Sequence, residues 1–237
     1  MELVLQKITK KINTKVILSN ISLSAKSGDI IIILGKSGVG KSTLLRIISG
    51  LESHCEGSII INQKTQPNGG ITRTVGLVFQ DFHLWRNYST IENISMPLQI
   101  IHNMSSKDAH HKALEILTEY GLLEHKNTNI SYLSGGQKQR LAIARTIAMQ
   151  PKIVCFDEPF SALDPFLTKY IIDKIKELQK NNYIIILTTH NIHILSMFQG
   201  TIYFLENGII AEKLTTNKLN EAEQIAPRIY NFIHGIV

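Results

Sequence analysis

The stretch Gly35-Lys36-Ser37-Gly38-Val39-Gly40-Lys41-Ser42 decides the fold. It fits G-x-x-x-x-G-K-[ST], a loop that wraps the phosphates of a nucleoside triphosphate. Upstream, Ile30 to Leu34 is an unbroken apolar run, as expected of a strand buried on both faces. Downstream, Thr43 to Ser49 carries Leu44, Leu45, Ile47 and Ile48 and reads as a packed helix. Strand, glycine loop and helix are the context the motif requires. Glycines let the backbone curl without Cβ clashes, so that successive N–H groups face one phosphate. The helix N-terminus adds its dipole, with Thr43 in its first turn. Lys41 is expected to reach the β- and γ-phosphates, and the Ser42 hydroxyl to ligate Mg²⁺.

A chain of 237 residues, 43% of them apolar, is long enough to bury a sizeable core. No apolar run reaches the roughly 18–20 residues of a membrane span. The start, Met1-Glu2-Leu3-Val4-Leu5, has neither a basic segment nor a cleavage site, so no signal peptide is expected and a soluble cytoplasmic protein is. Cys55 and Cys155 form no metal spacing, and both are expected to be reduced packing residues. The formal charge of +6 is modest and its basic residues are scattered, so nucleic acid is not an expected partner.

Strands are expected at Leu3 to Ile8 and Val16 to Ser24, with Lys10 to Lys15 as the turn between them, and again at Ser58 to Ile61 and Thr74 to Phe79. From Asp81 to about Met149 the pattern turns helical. Thr90 to Ile101 forms a first helix that Pro97 should kink or end. Ser105 or Ser106 caps a second, with Ala113, Leu114, Ile116, Leu117 and Tyr120 as its buried stripe and Gly121 closing it. Tyr132 to Gly136 reads as a polar loop and Gln137 to Met149 as a third helix. Strands resume at Lys152 to Phe156 and Tyr183 to Thr189, separated by a helix that Asp164-Pro165 opens. Thr201 to Leu205 and Ile209 to Glu212 flank the hairpin turn Asn207-Gly208, and a helical tail follows Thr215.

Hydrolysis needs more than a phosphate cradle. Ile153-Val154-Cys155-Phe156-Asp157-Glu158 ends a buried strand on two carboxylates, at the edge where ligands collect in open α/β sheets. Asp157 is placed to hold Mg²⁺, and Glu158 to polarise the attacking water. Leu133-Ser134-Gly135-Gly136-Gln137 offers a second set of backbone N–H groups at a helix start. One triphosphate does not need two cradles from one chain, so the second is expected to serve the nucleotide of a partner copy. Ser134 would cap its helix in either case.

Leu133 to Gln137 resembles the signature motif of ATP-binding-cassette (ABC) ATPases. The other motifs of that family stand in family order: the Walker A loop at Gly35 to Ser42, the Q-loop at Gln80, the Walker B strand at Ile153 to Asp157 with Glu158, the D-loop at Ser161-Ala162-Leu163-Asp164, and the switch histidine His190. The likeness spans about residue 3 to about 212. It implies an α/β fold, a P-loop NTPase (RecA-like) core with an antiparallel β subdomain and an inserted α-helical subdomain. The core would comprise 1–80 and 150–237, and the helical part about 81–149.

The resemblance implies a head-to-tail dimer closed over two ATP molecules, each held by one Walker A loop and by Ser134, Gly135, Gly136 and Gln137 of the other copy. His190 would contact the γ-phosphate, Gln80 would respond to Mg²⁺ and water, and Asp164 would lie at the dimer interface. Adenine would pack on aliphatic surface near Ile12, since no aromatic residue occurs between Met1 and Gly35. Lys36, Phe160, Asn191 and the stretch from Ile192 to Gly200 depart from the family pattern.

A single cassette without membrane spans is similar to an importer subunit, peripheral on the inner face of the membrane, with permease partners and a substrate-binding protein. Leu44-Leu45-Arg46 with Gly50-Leu51-Glu52, Val78 to Trp85 and Ala148 to Lys152 look like the polar amino acid uptake family. Phe82, Trp85 and Tyr88 lie where that family docks a membrane-subunit helix, or form a local core. Lipoprotein-release ATPases, soluble ABC proteins acting on ribosomes or DNA, and a regulatory cassette are the alternatives.

Overall fold

The computed structural model describes residues 1–70, 73–161 and 163–236. Ten strands and seven α-helices occur among them, in two compact units: Met1–Leu77 with Lys152–Val237, and Val78–Pro151.

In the first unit, β1 (Glu2–Ile12) and β2 (Lys15–Lys26) pair antiparallel around a two-residue turn at Asn13 and Thr14, so the connection is narrower than the expected Lys10 to Lys15. Asn13 takes φ +53, which asparagine tolerates and which lets both strands run further into the turn. β4 (Glu56–Ile61) pairs with β1, and β5 (Lys64–Thr65) with β4, giving an antiparallel sheet in the order β2-β1-β4-β5. Its inward face carries Leu3, Leu5, Ile8, Leu18, Ile21 and Leu23, all buried.

The second sheet runs β10-β9-β3-β8-β7-β6, with β3 (Ile30–Leu34), β6 (Val75–Val78), β7 (Ile153–Phe156), β8 (Ile184–Thr189), β9 (Thr201–Glu206) and β10 (Ile209–Thr215). β3 pairs parallel with β8 and β9, and β7 parallel with β8. β3 is aliphatic throughout, and β7 and β8 are buried along their whole length, as expected of parallel strands in the interior of a sheet. α1 (Lys41–Ile48) and α5 (Pro165–Lys180) bury Leu44, Leu45, Ile171 and Ile175. Asp164 caps α5 by accepting from the Leu167 N–H, with Pro165 at its first position. Asn207 and Gly208 both take positive φ in the hairpin between β9 and β10.

The second unit holds α2 (Glu92–His102), α3 (Ser106–Glu119) and α4 (Gly135–Ala148). Of the two outcomes expected at Pro97, an end to the helix does not occur: α2 continues to a left-handed cap at Asn103. Pro97 is buried beside Ile94 and Leu98, and that packing offsets the one backbone bond lost at the Asn93 carbonyl. α4 begins at Gly135, two residues before the expected Gln137, because a capping box joins Ser134 and Gln137 reciprocally. Ser105 caps α3, whose stripe is Ala109, Ala113, Leu117 and Tyr120; Leu114 and Ile116 are only half-buried. The short tail helices α6 (Ala222–Ile225) and α7 (Pro227–Ile233) belong to the first unit, where Arg228 and Ile229 backbone N–H groups donate to the Glu212 carboxylate.

The two cysteines divide. Cys155 is buried as expected, but Cys55 is exposed, because it precedes the solvent-facing start of β4 at Glu56 and Gly57 rather than a core segment. Burial pushes the Cys155 thiol well up, with the nearby Asp157 charge adding to it, so it has no thiolate at neutral pH. A thiol-specific chromogenic reagent should therefore titrate one thiol in the native protein and two after unfolding, and Cys55→Ser should leave none in the native state. Two equally fast native thiols would contradict this burial.

Candidate active site

The registers of the parallel strands bring three loops to one edge. Leu34 of β3 pairs with Thr189 of β8, and Phe156 of β7 with Leu187. The chain therefore leaves β3 into Gly35, leaves β8 into His190 and leaves β7 into Asp157 side by side. The glycine loop fits tightly between its neighbours. A Cβ at Gly35 would lie 2.4 Å from the Leu205 carbonyl oxygen. At Gly40, which takes φ +109, a Cβ would lie 2.9 Å from the Leu18 side chain. Lys36, Ser37 and Gly38 are exposed at the tip, while Val39 and Gly40 are half-buried.

Lys41 is buried, and its ammonium group uses all three of its protons. It donates to the carbonyls of Gly35 at 2.9 Å and Lys36 at 3.1 Å, and it pairs with Glu158 Oε1 at 3.1 Å. The other oxygen of Glu158 lies 3.1 Å from His190 Nδ1. Glu158 is thus held between a buried cation and an imidazole that is mostly exposed. Its backbone takes φ +45, unusual for a residue with a side chain and concentrated at functional sites. Beside it, Asp157 Oδ1 accepts from Ser42 Oγ at 2.9 Å and from Thr188 Oγ1 at 2.8 Å. Glu158 and His190 open onto a cleft of about 400 Å³ that Phe160, Ser161, Asn191 and His193 also line.

A hydroxyl and a carboxylate side by side suit Mg²⁺, a hard cation that takes oxygen ligands. No cluster of three or more His, Cys, Asp or Glu side chains able to hold a metal occurs among the described residues. Mg²⁺ bound with a nucleotide needs none, since it takes one or two protein ligands and completes its shell from phosphates and water. Ser42 and Asp157 fit that pattern.

The other residues singled out in the sequence separate by unit. Thr43 lies in α1, and Ile12 stands at the tip of the β1–β2 hairpin with 48% of its surface exposed. Gln80, exposed, follows β6 in the second unit. Ser134, Gly135, Gly136 and Gln137 form the α4 N-terminus there. The Gln137 side-chain oxygen accepts from the Ser134 N–H at 2.7 Å, and its amide lies 2.8 Å from His125 Nε2. Asp164 caps α5 in the first unit, while Ala162 lies outside the described residues.

Three residues escaped the reading of the sequence. Thr188 bridges to Asp157, and its only signal was a hydroxyl at the end of the aliphatic run of β8. His125 supports Gln137 from a distance in sequence that no local motif marks. Arg145 donates to the carbonyls of Phe82 and His83 and sits 5.6 Å from the Trp85 ring, holding the stretch after Gln80 in place. Burial pushes its guanidinium down to about 10, so it stays charged at neutral pH. The odd Phe160 has a partner: its ring packs 6.2 Å from that of Phe198, in the stretch that also departs from the family pattern.

Residues 18–161 match the family described as ABC transporter. The arginine transport ATP-binding protein ArtM of Bacillus subtilis is 36% identical over 212 residues, covering 87% of this chain and 88% of that protein. The glutamine transport ATP-binding protein GlnQ of Escherichia coli is 35% identical over 210 residues, with 86% and 88% covered. The phosphonates import ATP-binding protein PhnC of Fusobacterium nucleatum is 37% identical over 228 residues, with 90% and 92% covered. Among solved structures, the ATP-binding cassette MJ0796, a dimer in a post-hydrolysis state bound to ADP and Pi, matches with a TM-score of 0.82 and 31% identity over 90% of this chain and 98% of that one.

Proposed function

The chain belongs to the ABC transporter family, whose ATP-binding cassettes hydrolyse ATP to power transport, and from that premise we propose that it energises a membrane importer as one copy of an ATP-closed dimer. The observation that carries the chemistry is Glu158, suspended between Lys41 and His190 beside the Asp157–Ser42 pair.

The loop from Gly35 to Thr43 cradles the phosphates. Lys41 exchanges its loop carbonyls for phosphate oxygens, which are stronger acceptors because they are charged. That exchange also loosens Lys41 from Glu158. Glu158 then takes a proton from the attacking water while His190 holds its carboxylate and the γ-phosphate. Ser42 and Asp157 would hold Mg²⁺, which would neutralise phosphate charge, and Gln80 would respond to it. Ser134 to Gln137 of the second copy supply the far side of the γ-phosphate through α4 N–H groups. The capping box leaves the Gly135 and Gly136 N–H groups for this task, since Ser134 satisfies that of Gln137. Adenine rests on the aliphatic surface near Ile12.

Among the described residues no helix is long and apolar enough to cross a membrane. In this reading permease partners carry the spans. The transported substrate is a polar amino acid, the cargo named for ArtM and GlnQ. A substrate-binding protein delivers it. A second reading, import of a phosphonate, has its own support in the long match to PhnC. Affinity capture of the tagged chain from detergent-solubilised membranes should recover integral membrane subunits. Ribosomes or DNA in their place would overturn the transport reading. Uptake of labelled arginine, glutamine and phosphonate by the captured complex in vesicles then decides between the cargoes.

A further inference from the structure

β8 is aliphatic from Ile184 to Leu187 and then carries Thr188 and Thr189, both buried. The two hydroxyls do different work. Thr189 Oγ1 accepts from the Asn191 N–H at 2.9 Å and so holds the turn of its own chain that carries His190. Thr188 reaches across to the end of β7. Its hydroxyl donates to Asp157 Oδ1 at 2.8 Å and accepts from the Glu158 backbone N–H at 2.9 Å. One proton and one lone pair are thereby spent on two adjacent residues of the site, from a side chain with no exposed surface.

That second bond falls on a strained residue. Glu158 takes φ +45, and such a conformation persists only where the surroundings over-determine it. The Thr188 hydroxyl is the hydrogen-bond partner of the Glu158 N–H. With it in place, the Glu158 carboxylate is directed between Lys41 and His190. Asp157 is fixed by the same oxygen, which leaves it one preferred orientation toward Ser42.

We propose that Thr188 is a positioning residue for hydrolysis: its one hydroxyl locks Asp157 and the left-handed backbone of Glu158 together. The proposal rests on the roles given above to those two carboxylates. Valine matches threonine in shape and lacks the hydroxyl, so Thr188→Val removes both bonds and keeps the packing. ATP turnover against ATP concentration, binding of a fluorescent ATP analogue without Mg²⁺, and thermal melting are measured together. Thr188→Val should lower kcat by on the order of 10–100-fold, as loss of outer-shell partners does. KM and analogue binding should stay close to the parent, while the melting temperature should fall by several degrees, since the Glu158 N–H and Asp157 each lose a buried partner. Thr188→Ser, which restores the hydroxyl, should regain most of the rate.

Parental turnover in Thr188→Val, a loss confined to KM, or a Thr188→Ser protein as slow as Thr188→Val overturns the proposal. Glu158→Gln in the same assay separates the two levels. If it turns over normally, the role of Glu158 itself fails. If it collapses while Thr188→Val does not, only the positioning role fails. Should Thr188→Val melt too low to assay, Thr188→Cys is scored by the same criteria, since its thiol is too weak a hydrogen bonder to hold the pair.

Discussion

Glu158→Gln should bind ATP as the parent does and turn it over about 10²–10⁴-fold more slowly, the range lost with a general base. The substitution keeps the shape and one oxygen, so Lys41 can still donate to the side chain and the loop geometry survives. What disappears is the second carboxylate oxygen, which faces His190 and would accept the proton of water. Steady-state phosphate release and equilibrium binding, measured on one preparation, check both halves. Hydrolysis at the parental rate would remove Glu158 from the chemistry and leave the cleft beside His190 without a base. Loss of binding along with turnover would instead make Glu158 part of the cradle.

Lys41→Ala should weaken ATP binding by roughly 10–100-fold, since a hydrogen bond to a charged group is worth about 1.5–3 kcal/mol. It should also impair ATP-dependent dimerisation, because less nucleotide is bound on the near side for the far side to close on. Lys41 is also the buried partner of Glu158, and breaking such a pair by removing one member costs roughly 3–5 kcal/mol. His190 and the opening of the cleft soften that cost, so melting must be followed with binding. Titration calorimetry with ATP, alongside the melting curve, separates a lost ligand contact from a lost fold. A Lys41→Ala protein that still dimerised on ATP like the parent would break the account.

Most of the core was legible because buried parallel strands leave long aliphatic runs, as at Ile30 to Leu34 and Ile184 to Leu187. The loop glycines and the carboxylate pair were legible because their chemistry tolerates few substitutes. Boundaries were less so. Pro97 read as a kink or a stop, yet α2 runs on through it, with Pro97 buried beside Ile94 and Leu98. Gly135 and Gly136 read as loop, yet a reciprocal cap drew them into α4. The bridges made by Thr188 and His125 were invisible for another reason. Each joins residues distant in the chain, and nothing local in the sequence reports a hydrogen bond across strands or between a turn and a helix start.

In the proposed dimer Gly35 to Ser42 is half a site, and a second copy of the chain finishes it with Ser134 to Gln137. Light scattering of Glu158→Gln with and without Mg²⁺-ATP tests it most directly, since that protein should hold its nucleotide unhydrolysed. The expected mass is 26.7 kDa without ATP and twice that with it. A protein that binds ATP under the same conditions and stays at 26.7 kDa would contradict the claim.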